Sequence, residues 1–136
     1  MKISRNNVKE IIMRDIKFRV WDKQRQRFSK NNMMGMDGVI CNTHLEHYVL
    51  MQYTGLLDNH GIEVYEEDFI KDKDYLFIIK WQSGGFVLSP VKYSKNTPYI
   101  GRQIVDLQNA SYIRESCEVI GNVWENKELL KDKLWD

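Results

Sequence analysis

The stretch YTGLLDNHGIEVYEEDFI, from Tyr53 to Ile70, reverses the chain twice in close succession. Tyr53-Thr54-Gly55 ends an apolar alternation that starts near Val49. Asp58-Asn59-His60-Gly61 follows as a turn with a mechanism. The Asp58 carboxylate can accept from the backbone amide two residues on, and Gly61 can take positive φ without a Cβ clash. Ile62, Val64 and the Tyr65 ring then form a short strand. Glu66-Glu67-Asp68 is a second, acidic corner, after which Phe69-Ile70 restarts an apolar run. Two corners this close, with apolar residues between them, fit a tightly wound β structure better than a helix.

Upstream, Ile16 to Trp21 alternates, with Ile16, Phe18 and Val20 on one side and Lys17, Arg19 and Trp21 on the other. Period two predicts a half-buried strand. Asp22 to Arg27 reads as a hairpin loop, and Phe28 starts the return. Met33, Met34 and Met36 surround Gly35, Asp37-Gly38 is a turn dipeptide, and Val39-Ile40 predicts one short strand. Downstream, Tyr75 to Trp81 is aromatic and β-branched, as buried strands are. Ser83-Gly84-Gly85 and Phe86-Val87-Leu88 complete a predicted β-hairpin. Pro90 and Pro98 bracket a looser segment. Tyr99 to Val105 reads equally as a strand or as loop leading to a short helix through Leu107. Glu118 to Trp124 predicts a strand in which Gly121 marks a bulge or a close backbone approach. Asn126 is placed as a helix N-cap, with Glu128 in the first turn. Leu129, Leu130, Leu134 and Trp135 would form the apolar side of a short terminal helix.

Three separated motifs carry a resemblance. Ile16-Lys17-Phe18-Arg19-Val20-Trp21-Asp22 comes first, then Tyr53-Thr54-Gly55-Leu56 through Ile70, then Val119-Ile120-Gly121-Asn122-Val123-Trp124-Glu125-Asn126. Together, over roughly residues 14 to 131, they resemble the YopX family. The resemblance implies a phage or prophage protein of bacteria, mainly β with an SH3-like barrel, and carrying no established biochemical activity. It marks Tyr53, Thr54, Gly55, Asp58, Gly61, Tyr65, Glu66, Asp68, Gly121 and Asn122 as motif positions of structural role. Two departures stand out: Glu67 occupies a place usually held by Gly, and Lys127 one usually held by Pro. The resemblance also sets residues 1–13 apart as an N-terminal extension, with the domain at 14–136.

A chain of 136 residues, 43% hydrophobic and 29% charged, is one ordinary globular domain. Its formal net charge of +1 gives no strong field to attract nucleic acid or an anionic membrane. No apolar run approaches the ~20 residues of a membrane helix, and the N-terminus has no secretory pattern. With Cys41 and Cys117 far apart and no Cys-x-x-Cys pair, a reduced cytoplasm is the expected setting, that of a bacterial host as the resemblance implies.

Cys41-x-x-His44-x-x-His47 has the residue types of a zinc site, with His60 or Cys117 as the further candidates. A second closely spaced ligand pair is lacking, so surface histidines and a buried thiol are expected, with no cofactor. Glu63, Glu66, Glu67 and Asp68 could hold a hard cation or act as acid and base; a solvated turn is the plainer reading. Neither a Gly-x-Ser-x-Gly elbow nor a phosphate-binding Gly-Lys-Ser/Thr loop occurs, and no enzymatic activity is expected. Lys17, Arg19, Lys23, Arg25 and Arg27, with Trp21 and Phe28, mix cations and aromatics, which is one route to nucleic-acid binding; an edge strand guarded by charge has the same composition. Trp81, Trp124 and Trp135, with Tyr53, Tyr65 and Tyr75, are many rings for one domain, and aromatics are enriched at protein contacts. The expected function is a non-enzymatic, oligomeric interaction or scaffold module whose partner is a second copy or another phage or host protein. The alternative is nucleic-acid binding in phage DNA or RNA metabolism.

Overall fold

The computed structural model describes residues 15–29, 46–94, 103–104, 107–131 and 134–135. The strand at Val39-Ile40, Cys41, His44 and the N-terminal extension lie outside them. The described chain is mainly β. Its strands are β1 (Phe18–Asp22), β2 (Arg27–Phe28), β3 (Tyr48–Leu57), β4 (Glu63–Tyr65), β5 (Asp68–Lys71), β6 (Tyr75–Gln82), β7 (Gly85–Ser94), β8 (Gln103–Ile104), β9 (Glu118–Asn122) and β10 (Leu134–Trp135), with helix α1 (Leu107–Ser116) between β8 and β9. Two sheets result. One has the order β2-β1-β3-β4; the other has β10-β7-β6-β5-β9, with β8 also paired to β7. All pairings are antiparallel except β10 with β7.

The two reversals of residues 53–70 create the division into sheets. The first joins β3 to β4. The second, at Glu66-Glu67, sends the chain out of the first sheet and into β5 of the second. The predicted β6–β7 hairpin is present, with a tighter connection than expected: Gly85 already pairs with Gln82, and the turn is Ser83-Gly84, which take φ of 53° and 83°. Successive positive φ values are what a two-residue hairpin turn needs to match strand twist. The second sheet is buried on both faces, which is why β6 reads as a continuous apolar run. Ile70, Phe77, Ile79 and Leu88 pack with Val64, Ile113 and Cys117 on one face. Phe69, Leu76 and Ile78 pack with Val91, Ile120, Val123 and Leu129 on the other.

Several expectations are corrected. β7 runs to Ser94, past Pro90: the register shifts between Leu76/Lys92 and Phe77/Pro90, so the ladder is already broken beside the proline. The half-buried alternation of β1 fails at Trp21 and Ile16. Trp21 is buried alongside Val20, while Ile16 is exposed. The C-terminal helix is replaced by one 3₁₀ turn, Lys127–Leu130, followed by β10. Asn126 caps nothing there; its Oδ1 instead accepts from the Asn122 amide at 3.1 Å, behind it in the chain. One reading of this region places a short helix ending at Leu107; helix α1 instead starts there and runs to Ser116. Of the two readings of residues 99–105, the described pair Gln103–Ile104 is strand.

Candidate functional site

Asp58 and Asp68 anchor the central stretch. The Asp58 side chain is buried and accepts three backbone amides: His60 and Ile62 on Oδ1, each at 2.8 Å, and Val119 on Oδ2 at 2.9 Å. One carboxylate thus closes its own turn and pins the start of β9. Arg114 of α1 donates to the Asp58 carbonyl at 3.2 Å. Burial alone would raise the Asp58 pKa; the Val119, Ile62 and His60 amides outweigh it and hold the group below the usual carboxylate value.

Asp68 is also buried. Its Oδ1 accepts from Arg19 Nη2 at 2.6 Å, and its Oδ2 from the Tyr65 amide at 2.8 Å. Arg19 Nη2 additionally donates to the Glu66 carbonyl at 3.2 Å. The guanidinium lies 5.0 Å from the Phe28 ring and 4.8 Å from the Tyr65 ring. Burial pushes the Asp68 carboxyl up to about 6, while the Arg19 charge and the Tyr65 amide pull the other way.

The remaining motif positions join the same framework. Thr54 Oγ1 donates to the Val64 carbonyl at 2.7 Å and accepts the Leu56 amide at 3.1 Å, spanning the β3 bulge where Gly55 takes φ 85°. Glu66 Oε1 accepts from the Gln52 amide at 2.9 Å. Tyr53 and Tyr65 face each other with ring centroids 5.4 Å apart. Gly61 takes φ 78° in the first turn. Glu67 takes φ 68° despite its side chain, so the second corner forms without a glycine at this position. Gly121 lies where a Cβ would fall 2.6 Å from Asn126 Cγ. Asn122 Oδ1 accepts the Trp124 and Glu125 amides at 3.0 and 2.9 Å.

The acidic corner does not converge on a point. Glu63 pairs with Lys17, Glu66 bonds Gln52, Glu67 lies 3.3 Å from Lys80, and Asp68 holds Arg19. Among the described residues, no three His, Cys, Asp or Glu side chains group as metal ligands would. His47 neighbours Glu46, His60 neighbours Glu118, and Cys117 is buried in the core. Tyr112 donates to the Asp72 carboxylate beside Cys117. Burial pushes the Cys117 thiol up to about 11, so it is protonated at neutral pH and a poor nucleophile.

The five candidate cations separate. Lys17 is engaged by Glu63 and lies 4.9 Å from the Tyr53 ring, and Arg19 is engaged by Asp68. Lys23, Arg25 and Arg27 are exposed on the β1–β2 turn and β2, Arg25 standing 3.8 Å from Asp22. Sequence reasoning missed that Trp124 and Lys127 join this end of the molecule. Trp124 stacks on Trp21 at 6.4 Å, beneath Lys23 and Lys127. No spacing rule connects residues so distant in the chain.

Comparison with known proteins gives one family and one fold. The chain matches the YopX protein family over residues 17–131. It is similar to the crystal structure of protein EF1440 from Enterococcus faecalis, with 25% identity, a TM-score of 0.56, and coverage of 88% of this chain and 100% of that one. No curated protein matches. The match covers most of the chain and includes both corners, the β1 strand and the β9 turn; the chain belongs to the YopX protein family.

Proposed function

We propose that this protein is a non-enzymatic interaction module of phage or prophage origin, acting in the bacterial cytoplasm and assembling with a second copy of itself. The observation that carries the reading is Trp81. It stands 51% exposed near the tip of the β6–β7 hairpin, opposite Phe86 in the ladder and edge-on to its ring at 4.9 Å. An aromatic pair held out on a rigid hairpin loses little entropy on docking, and burying one such side chain is worth about 2 kcal/mol. The net charge of +1 sets up little repulsion between copies.

Two further points support contact over chemistry. The strongly shifted groups, Asp68, Tyr112 and Cys117, are tied into buried structural bonds. The ion pairs of Lys17 and Arg19 count against the original five-cation nucleic-acid surface. An SH3-like barrel remains our finer reading of the fold, with the bent β3 and the Glu66-Glu67 corner wrapping one sheet onto the other. No helix among the described residues is long and apolar enough to cross a membrane.

Light scattering of the full chain and of Trp81→Ser tests the proposal. A dimer or larger species that becomes monomeric in Trp81→Ser is expected. A wild-type monomer at high concentration would sink it.

A further inference from the structure

A second surface lies away from the Trp81 hairpin tip in sequence and does not depend on self-association. Lys23, in the β1–β2 turn, and Lys127, in the 3₁₀ turn after β9, place their ammonium groups 5.9 and 5.3 Å from the centroid of the same Trp124 ring. Neither has a carboxylate partner among the described residues. Two like charges share one indole, and the ring contributes only about 0.5–1 kcal/mol for each.

The layer beneath is equally one-sided. Trp124 stacks on Trp21, and Trp21 meets Phe28 edge-on at 5.0 Å. The buried Nε1 groups of both tryptophans, and the neighbouring Arg19 Nε, have no hydrogen-bond acceptor among the described residues. A buried donor left unpaired costs about 1–3 kcal/mol. The nearby carboxylates are committed or compete weakly. Asp22 accepts the Gln24 and Arg25 amides at 3.0 and 3.1 Å, and Glu125 accepts from Asn122 Nδ2 at 2.8 Å. Glu128 is exposed and would oppose an anion only through solvent. This corner therefore gathers donors and positive charge on an aromatic platform.

We propose that this corner binds single-stranded nucleic acid through its phosphodiester backbone. Lys23 and Lys127 contact phosphate oxygens. Drawing the two ammonium groups off the ring uncovers a Trp124 face against which a base packs. Arg25 and Arg27, exposed on the adjoining turn and strand, continue the positive track along the strand, which a lone phosphate would not use. The chemistry differs from the sequence expectation: Lys17 and Arg19 drop out, and Trp124 and Lys127 replace them.

The test is anisotropy of a labelled single-stranded oligonucleotide titrated with the full chain at low salt, alongside the double variant Lys23→Gln/Lys127→Gln. Both substitutions are on exposed side chains, and unchanged thermal unfolding verifies that the variant is folded. The expected result is binding that weakens roughly tenfold or more in the variant, with the slope of log K against log salt reduced by about 1.4, or roughly 0.7 per ammonium removed. Absence of binding at low salt, or equal affinity in wild type and variant, would overturn the proposal. Equal affinity for an acidic peptide of the same charge would overturn the assignment to nucleic acid.

Discussion

Arg19 Nη2 donates to Asp68 Oδ1 at 2.6 Å, joining β1 of the first sheet to β5 of the second through a contact in which Asp68 is buried and Arg19 partly so. Desolvation of both charges offsets much of their attraction, as the raised pKa of Asp68 reflects. Removing one partner is therefore much worse than removing both. Arg19→Met alone is predicted to cost about 3–5 kcal/mol, because it leaves an uncompensated buried carboxylate. Arg19→Met with Asp68→Leu is predicted to recover most of that loss. Urea unfolding of the two single variants and the double variant measures the coupling.

The two anchoring aspartates should shape the pH dependence in opposite directions. The Asp68 pKa is raised from 3.8 to about 6 on folding, so between these values the folded state holds a proton that the unfolded chain has released. Stability from this group is fully present below pH 3.8 and is lost as pH rises through about 6. The two-unit shift corresponds to about 3 kcal/mol. The Asp58 pKa is lowered, so its contribution is present above 3.8 and is lost as pH falls through its folded value. Unfolding free energy is predicted to rise as pH drops from neutrality towards 4 and then to fall. In Asp68→Asn the first rise should vanish.

Glu67 holds a left-handed backbone at φ 68° with a side chain that gains only a half-exposed contact to Lys80. That conformation costs an L-residue roughly 1 kcal/mol, and the Lys80 pair returns less than about that. Glu67→Gly is predicted to be neutral or stabilising by up to about 1 kcal/mol. Glu67→Ile should be destabilising, since a β-branched residue resists this region. Thermal unfolding of both variants distinguishes relief of backbone strain from loss of the ion pair.

Gly121 and Asn126 occupy one space. A methyl group at 121 would meet the Asn126 side chain at Cγ, 2.6 Å away, and more closely still at Oδ1. Gly121→Ala is predicted to cost about 1–3 kcal/mol. Asn126→Gly should relieve the clash while sacrificing its bond from the Asn122 amide, so the double variant should be less damaged than the sum of its parts. A chemical-denaturation cycle reads that difference.

The legible parts of the sequence were those governed by local chemistry. Asp58 accepts the amide two residues on, Gly61 takes positive φ, Ser83-Gly84 turns the hairpin, and Gly121 marks both a bulge and a close approach. What local rules missed depended on distant partners. Asn126 has the composition of a cap, but its oxygen is claimed by the Asn122 amide, and a single 3₁₀ turn results. Arg19 reads as a surface cation in an alternating strand until Asp68 and two aromatic rings enclose it. Helix α1, LQNASYIRES, carries a weak apolar pattern and is placed by Ile113 entering the core. At the candidate surface all five cations read alike in the sequence, and only the pairing of Lys17 with Glu63 and Arg19 with Asp68 separates Lys23, Arg25 and Arg27 from them. The Trp124 platform is assembled from opposite ends of the chain.

The central claim is that the acids of residues 53–70 hold the two sheets together. Urea unfolding of Asp58→Ala tests it most directly. The substitution strands the buried His60, Ile62 and Val119 amides, and the account predicts a loss of at least about 3 kcal/mol. A folded Asp58→Ala protein within about 1 kcal/mol of wild type would contradict it.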